Sequence, residues 1–231
     1  DLVDFVIVAD GIFSTTKSFF EKAKNKPKYK KALAVRTILK SKSALNISEH
    51  NISLMLGSNA HIVLYPINKK KELNMVCIIR SKKYDPDNIK LLIENTVLKQ
   101  NSNLKIIFDN EIKSWPLYFT PKILPSSNKK VFYIGDAFNG FLPTLAQGAG
   151  QSIESAHEIF NLLKEGKLGN DNTYFEVRSK RAKIVRKRSN LNFFVFHFSS
   201  SIMQKIRNIF LKFLVKRKTF IRGYLSKVYK N

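Results

Sequence analysis

Residues 131 to 163, VFYIGDAFNGFLPTLAQGAGQSIESAHEIFNLL, constrain the fold more than any other stretch of the chain. Val131, Phe132, Tyr133 and Ile134 form a β-branched and aromatic run, which predicts a buried strand ending at Gly135-Asp136. In an open α/β sheet the carboxyl ends of the strands face the crevice where ligands bind. Asp136 is therefore placed to accept hydrogen bonds from a hydroxylated ligand. The next eleven residues are expected to form a loop, with Pro143 inside it and Gly148 and Gly150 just beyond. Ile153, Ala156, Phe160 and Leu163 then recur at helical spacing on one apolar face, so a helix is expected to begin between Gln147 and Gln151. The first N–H groups of such a helix lack intrahelical partners and suit an anionic or carbonyl-rich ligand. The same two glycines equally suit a tight turn that binds nothing.

A second strand is expected from Phe5 to Ala9, stopping at Asp10-Gly11, with Ser14 as N-cap of the helix that follows. Asp-Gly is by itself a common turn. Here it repeats the arrangement of an aspartate at a strand end.

The segment GDAFNGFLPTLAQGAGQSIESA resembles the GD motif of the class A flavoprotein monooxygenases, the group containing p-hydroxybenzoate and salicylate hydroxylases. The likeness runs through Gly135, Asp136, Pro143, Gln147, Gly148, Ala149 and Glu154. Phe138-Asn139 departs from it, standing where the family usually has Ala-His. The family's DG motif resembles the stretch carrying Ala9, Asp10, Gly11, Ser14 and Lys17. The resemblance implies FAD, with Asp136 on the ribityl chain and with Asp10 and Gly11 toward the pyrophosphate and the passing nicotinamide nucleotide. It further implies that Gly148 and Ala149 offer N–H groups to the pyrimidine edge of the flavin. No G-x-G-x-x-G occurs, so the chain is expected to be the carboxyl-terminal part of a longer enzyme or a truncated gene product.

Between these motifs, strands are expected at 31–39, 52–56, 61–65 and 73–79, with residues 68–71 turning the last two into a hairpin of an antiparallel sheet covered on one face. ALAVRT, carrying Arg36, and SNAHIVLYPINKKKELNMVCII resemble substrate-domain segments of salicylate-hydroxylase-type enzymes. His61 is read as hydrogen-bonded structure and is not assigned to catalysis. A helix is expected over 87–98; Trp115 and Tyr118 either line a substrate pocket or pack a domain interface, the second being expected. The fold class is α/β: part of a FAD-binding Rossmann-like domain at 1–30 and 126–190, an inserted antiparallel-sheet substrate domain at 31–125, and carboxyl-terminal helices ending in a basic tail at 191–231.

Residues 177–231 contain 16 Lys plus Arg and no Asp or Glu, a large share of a net charge of +24. Their first part resembles the family's terminal helix. Ile202, Ile206, Ile209, Phe210, Phe213 and Leu214 then mark a basic amphipathic helix, suited to the protein's own apolar surface, a partner groove or an anionic membrane. A pI near 10.1 invites nucleic acid, but no recognition motif accompanies the charge and that partner is not expected. Cys77 stands alone, which excludes an internal disulfide, and His and Cys lack zinc-ligand spacing, so no metal is expected. The combined expectation is an FAD- and NAD(P)H-dependent monooxygenase acting on a small aromatic or quinone-like substrate, cytoplasmic or peripheral to the inner face of a membrane. The competing expectation is a non-enzymatic basic membrane-surface module derived from a truncated flavoprotein.

Overall fold

The computed structural model describes residues 2–21, 25–40, 51–70, 72–169 and 172–229. Part of the basic cluster near the amino end (22–24), the Ser- and Asn-rich loop (41–50) and the last residue of the expected hairpin turn (71) lie outside the described residues. The chain runs β1 (Val6–Val8), α1 (Thr15–Glu21), β2 (Lys28–Leu39), β3 (Ser53–Leu56), β4 (Ala60–Ile67), β5 (Glu72–Arg80), α2 (Ile89–Ile93), α3 (Lys105–Phe108) and β6 (Lys113–Phe119). It continues through β7 (Val131–Tyr133), α4 (Gly135–Asn139), α5 (Gly148–Lys164), α6 (Thr173–Phe196), α7 (Ser201–Leu214) and α8 (Lys218–Tyr229). Two compact units result, one of residues 1–29, 118–193 and 223–231, the other of residues 30–117 and 194–222.

In the first unit β1 and β7 pair in parallel, Val6 opposite Val131 and Val8 opposite Tyr133. One face packs Val8, Val131, Tyr133, Ala137, Phe138 and Ala182. The other packs Phe132 with Ile159, Leu162, Leu168 and Tyr174. A parallel strand covered on both faces needs apolar residues at successive positions, which is why residues 131–133 read as a continuous run.

One expectation fails in this unit. The segment after β7 is not a plain loop: α4 closes one helical turn, with Phe138 N donating to Ile134 O at 3.3 Å, and Pro143 opens a 3-10 turn closed by Ala146 N donating to Pro143 O at 3.0 Å. Proline's fixed φ and missing N–H suit it to the first position of such a turn. The face of α5 that turns inward is not the apolar one. Gln151, Ser155, Ile159 and Leu162 are buried, while Ile153, Phe160 and Leu163 are 70, 61 and 44% exposed. The physical cause is α6, whose buried Arg178 donates to Gln151 Oε1 (2.9 Å), Gln151 O (3.2 Å), Ser155 Oγ (3.2 Å) and Glu154 Oε2 (3.1 Å). A buried guanidinium must have its donors satisfied, and the polar stripe of α5 supplies the acceptors.

The second unit holds a five-stranded sheet in the order β3-β4-β5-β2-β6. The pairings of β2 with β5 and of β4 with β5 set Val35 opposite Cys77 and Cys77 opposite Ile62, so alternate residues share one face. Leu33, Val35, Leu64, Leu73, Met75, Cys77 and Ile79 on that face are wholly buried against Ile89, Ile93, Val97 and Ile107. Burial pushes the Cys77 thiol up, consistent with a packing role. The helix expected over 87–98 is α2 followed by a π-helical turn at 94–98. In α7, Arg207 is 3% exposed and donates to Phe196 O (3.2 Å) and Leu56 O (3.4 Å), joining this helix to the end of α6 and to β3. The opposite face of α7, carrying Ile202, Ile206, Ile209, Phe210 and Phe213, is exposed. Among the described residues no helix is long and apolar enough to cross a membrane.

Candidate functional site

The parallel register sets Asp10 and Asp136 just beyond the carboxyl ends of neighbouring strands. Their electrostatics differ. Partial burial raises the Asp10 carboxyl, but hydrogen bonds from Ser14 and Thr16 outweigh it and hold it below the ordinary range. The Thr16 N–H donates to Asp10 Oδ2 at 3.2 Å. Asp136 has no hydrogen-bond partner among the described residues, and burial by the protein around its strand end pushes its carboxyl up although the residue as a whole is exposed.

The turns around these carboxylates are built for close approach. Gly11 has φ +84°, and a Cβ there meets nothing within 4 Å. Gly135 has φ +57°, and a Cβ there falls 2.8 Å from Ser152 Oγ, so only glycine fits. Ser152 Oγ in turn donates to Gly148 O at 3.0 Å, which sets the Gly135 turn against the first turn of α5. Pro143 heads the 3-10 turn, Ala146 leaves it at φ 52°, and Gln147, 6% exposed, precedes the helix. Gly148 and Ala149 open α5, whose N-cap makes no side-chain hydrogen bond; space around Gly148 is open to 4 Å. The leading N–H groups of α5 thus remain without a side-chain cap. A partnerless carboxylate, uncapped amides and an open glycine fit a ligand that offers both hydroxyls and a carbonyl edge, as a flavin does.

Lys17 has a role its motif position did not reveal. Its Nζ donates to Ala137 O at 2.7 Å and lies 5.1 Å from the centre of the Tyr133 ring, fastening α1 to α4. Burial lowers the ammonium, opposed by Glu21 and Asp10. A cavity of about 300 Å³ beside α1 is lined by Phe13, Ser14, Lys17, Glu21, Asn25 and Pro27 among others.

Sequence reasoning also missed two clamps. Asn139 is fully buried and accepts from Arg186 Nη2 of α6, while Gly140 N donates to Thr120 Oγ1 at 2.9 Å. The departure from the family's histidine is therefore a buried link to α6; a polar residue inside an apolar turn was its one sequence signal. In the second unit His61 Nδ1 lies 3.1 Å from His197 Nε2, both rings buried. Burial and the neighbouring His197 bring His61 down to about 3, so it stays neutral near pH 7. No local signal connects residues 136 positions apart. Trp115 is 41% exposed, and Tyr118 packs edge-on against Phe13 at 4.9 Å.

The sequence profile of the squalene epoxidase family matches residues 3–226. The 3-amino-4-hydroxybenzoate 2-monooxygenase PtmB3 of Streptomyces platensis is 24% identical over 214 residues, covering 88% of this chain and 54% of that protein. Klebsiella pneumoniae HpxO, solved with FAD and uric acid, superposes with a TM-score of 0.81 at 13% identity, covering 98% of this chain and 60% of that one. A salicylate hydroxylase substrate complex gives 0.68 at 18% identity, covering 98% and 64%. At such identities the solved structures show the fold, and it is that of FAD-dependent monooxygenases, as the sequence motifs implied. The chain spans about half the length of the curated relatives it matches.

Proposed function

We infer the function from one premise: the chain belongs to the squalene epoxidase family. It belongs to an FAD-dependent monooxygenase that hydroxylates a small aromatic or quinone-like substrate using NAD(P)H and O₂. Relatives named for 3-amino-4-hydroxybenzoate and a structural neighbour holding uric acid support a compact aromatic substrate. Residues 1–30 and 126–190 are assigned to flavin binding, 31–125 to the substrate domain and 191–231 to the tail.

The observation that carries this reading is the pair of aspartates at adjacent parallel strand ends, with the uncapped start of α5 packed against the turn that bears Asp136. FAD, when bound, would supply the redox chemistry by which two electrons from NAD(P)H and O₂ put one oxygen atom on the ring and release the other as water. Asp136 accepts hydrogen bonds from the ribityl hydroxyls, and Asp10 and Gly11 meet the pyrophosphate side. Gly148 and Ala149 donate N–H groups to the pyrimidine edge and stabilise negative charge there. Gly135, Pro143 and Gln147 hold the turn that presents these groups. His61, buried and neutral, is left out of the proton transfers.

FAD titration of the chain, followed by flavin fluorescence, tests the site. Asp136→Ala is expected to weaken binding about tenfold, the loss of one charge-assisted hydrogen bond or more; unchanged affinity overturns the assignment. In the complete enzyme, NADPH consumption without an oxygenated product from any phenolic acid or quinone precursor overturns hydroxylation.

The exposed apolar face of α7 favours a second reading for the tail. With Lys205, Lys212 and Lys216 beside Ile206, Ile209 and Phe213, the helix suits peripheral contact with an anionic membrane from the cytoplasmic side. Co-sedimentation with phosphatidylglycerol vesicles is expected to fall on Ile209→Glu with Phe213→Glu; no difference removes the membrane.

A further inference from the structure

Where α4 meets α6, three buried polar atoms have no hydrogen-bond partner among the described residues: Asn139 Nδ2, Arg186 Nε and Ser189 Oγ. Asn139 is 0% exposed and Ser189 1%, while Arg186 is half-buried. Asn139 Oδ1 accepts from Arg186 Nη2, which leaves the other end of that amide as a donor, and Arg186 Nη1 donates to Pro121 O at 3.0 Å. Ser189 follows Arg186 by three residues on α6, so the two side chains are neighbours on one face of the helix. Thr144 Oγ1 donates to Ser189 O at 2.7 Å and ties the Pro143 turn to the same place. A serine inside a helix can return its hydroxyl to a carbonyl one turn earlier, and this one does not. Among the described residues the guanidinium bonds only to neutral oxygens. Burial draws its ionisation below the ordinary value with no acidic group acting against that, and after Glu176 the helix has no Asp or Glu to offer. Buried donors beside a cation without a counter-charge are unfavourable unless an acceptor meets them.

We propose that Asn139, Arg186 and Ser189 form a binding site for one small monovalent anion of the halide class, chloride in the cell. A halide only accepts hydrogen bonds, which suits three donors that lack acceptors, and its charge compensates the guanidinium. A water molecule would bring two hydrogens of its own and leave the positive charge uncompensated. The seclusion of Asn139 and Ser189 suits a single atom over a bulkier oxyanion, and Arg186, half in solvent, is the side chain that shifts to admit it. The bound ion fastens α4, and with it the turn that bears Asp136, to α6. The site lies wholly in the first unit and does not depend on flavin.

Thermal unfolding of the whole chain in sodium chloride and in sodium gluconate at equal ionic strength tests the site, because both salts screen the basic surface alike and only one supplies a halide. Chloride at tenfold over its dissociation constant is expected to raise the melting temperature by about 3–6 °C relative to gluconate. Asn139→Leu is expected to abolish that difference. Ser189→Ala removes only a hydroxyl, and it is expected to lose at least half of the difference; it keeps the test decisive if Asn139→Leu does not fold. Lys205→Gln, on the exposed basic face of α7, is expected to leave the difference unchanged. Bromide diffraction at the bromine absorption edge is expected to place an anomalous peak within hydrogen-bond reach of Asn139 Nδ2 and Arg186 Nε. Equal melting in the two salts, a chloride effect that survives both Asn139→Leu and Ser189→Ala, or an ordered water in place of bromide each overturns the proposal.

Discussion

In the second unit the helices beside the five-stranded sheet seal Leu33, Leu64, Leu73, Met75 and Ile79 completely, whereas in the first unit α5 turns a polar stripe inward and keeps Ile153, Phe160 and Leu163 in water. The difference separates two uses of strands. In the sheet the strands are the core, and alternate residues fill it. In the β1–β7 pair the strands are short, and their chief product is a shared end at which two aspartates, two glycine turns and an uncapped helix start come together.

The largest test of that contrast is a pair of truncations. Leu64→Ala should cost about 2–5 kcal/mol in urea unfolding, because it leaves a cavity in a sealed core. Phe160→Ala should stay within about 0.5 kcal/mol, because the ring is 61% exposed. Similar losses for both would erase the distinction.

Gly135→Val ranks next. A β-branched residue at φ +57° should cost about 1–3 kcal/mol from backbone strain. It must also displace Ser152, so the loss of FAD affinity should exceed the loss of stability, in keeping with a turn built for presentation rather than packing. Gly148→Ala, where a Cβ meets nothing, should leave the melting temperature nearly unchanged.

The buried His61 predicts an acid-sensitive sheet. Its folded value of about 3 lies below the ordinary value near 6.5. The unfolded chain therefore takes up a proton that the folded chain refuses. The stability concerned is fully present above about pH 6.5 and declines as pH falls toward 3. His61→Gln should flatten that decline in a series of urea titrations; an unchanged slope would show that the histidine pair is not responsible.

The smallest effects should come from the two aspartates and should have opposite signs. The Asp10 carboxyl is lowered in the folded chain, so it adds stability above its unfolded value that is lost as pH falls through its folded one. Asp136 is raised, so a slight penalty on folding builds as pH rises through its unfolded value and is complete above its folded one. At neutral pH Asp10→Asn should destabilise and Asp136→Asn should stabilise, both within about 0.5 kcal/mol given the exposure of the two side chains. Melting temperatures at pH 7 and pH 4 would show whether the two strand ends are as different as their hydrogen bonds suggest.

What the sequence determined by itself is local. A run of apolar residues stopping at Gly-Asp specifies a buried strand with a carboxylate at its end, and Ser14 before Thr15 specifies a helix start, realised by Lys17 N donating to Ser14 Oγ at 2.8 Å. Period-two alternation specified β4 and β5 and their hairpin, and the paired motifs specified the family, because each of these signals lies within a few neighbouring residues. Only the tertiary structure decided which face of α5 is buried, since that depends on Arg178 and Arg181 arriving from α6 to meet Glu154. It alone paired His61 with His197 and set Asn74 under Arg36, since contacts between distant positions arise from strand register and helix packing, and no local period in the chain encodes them.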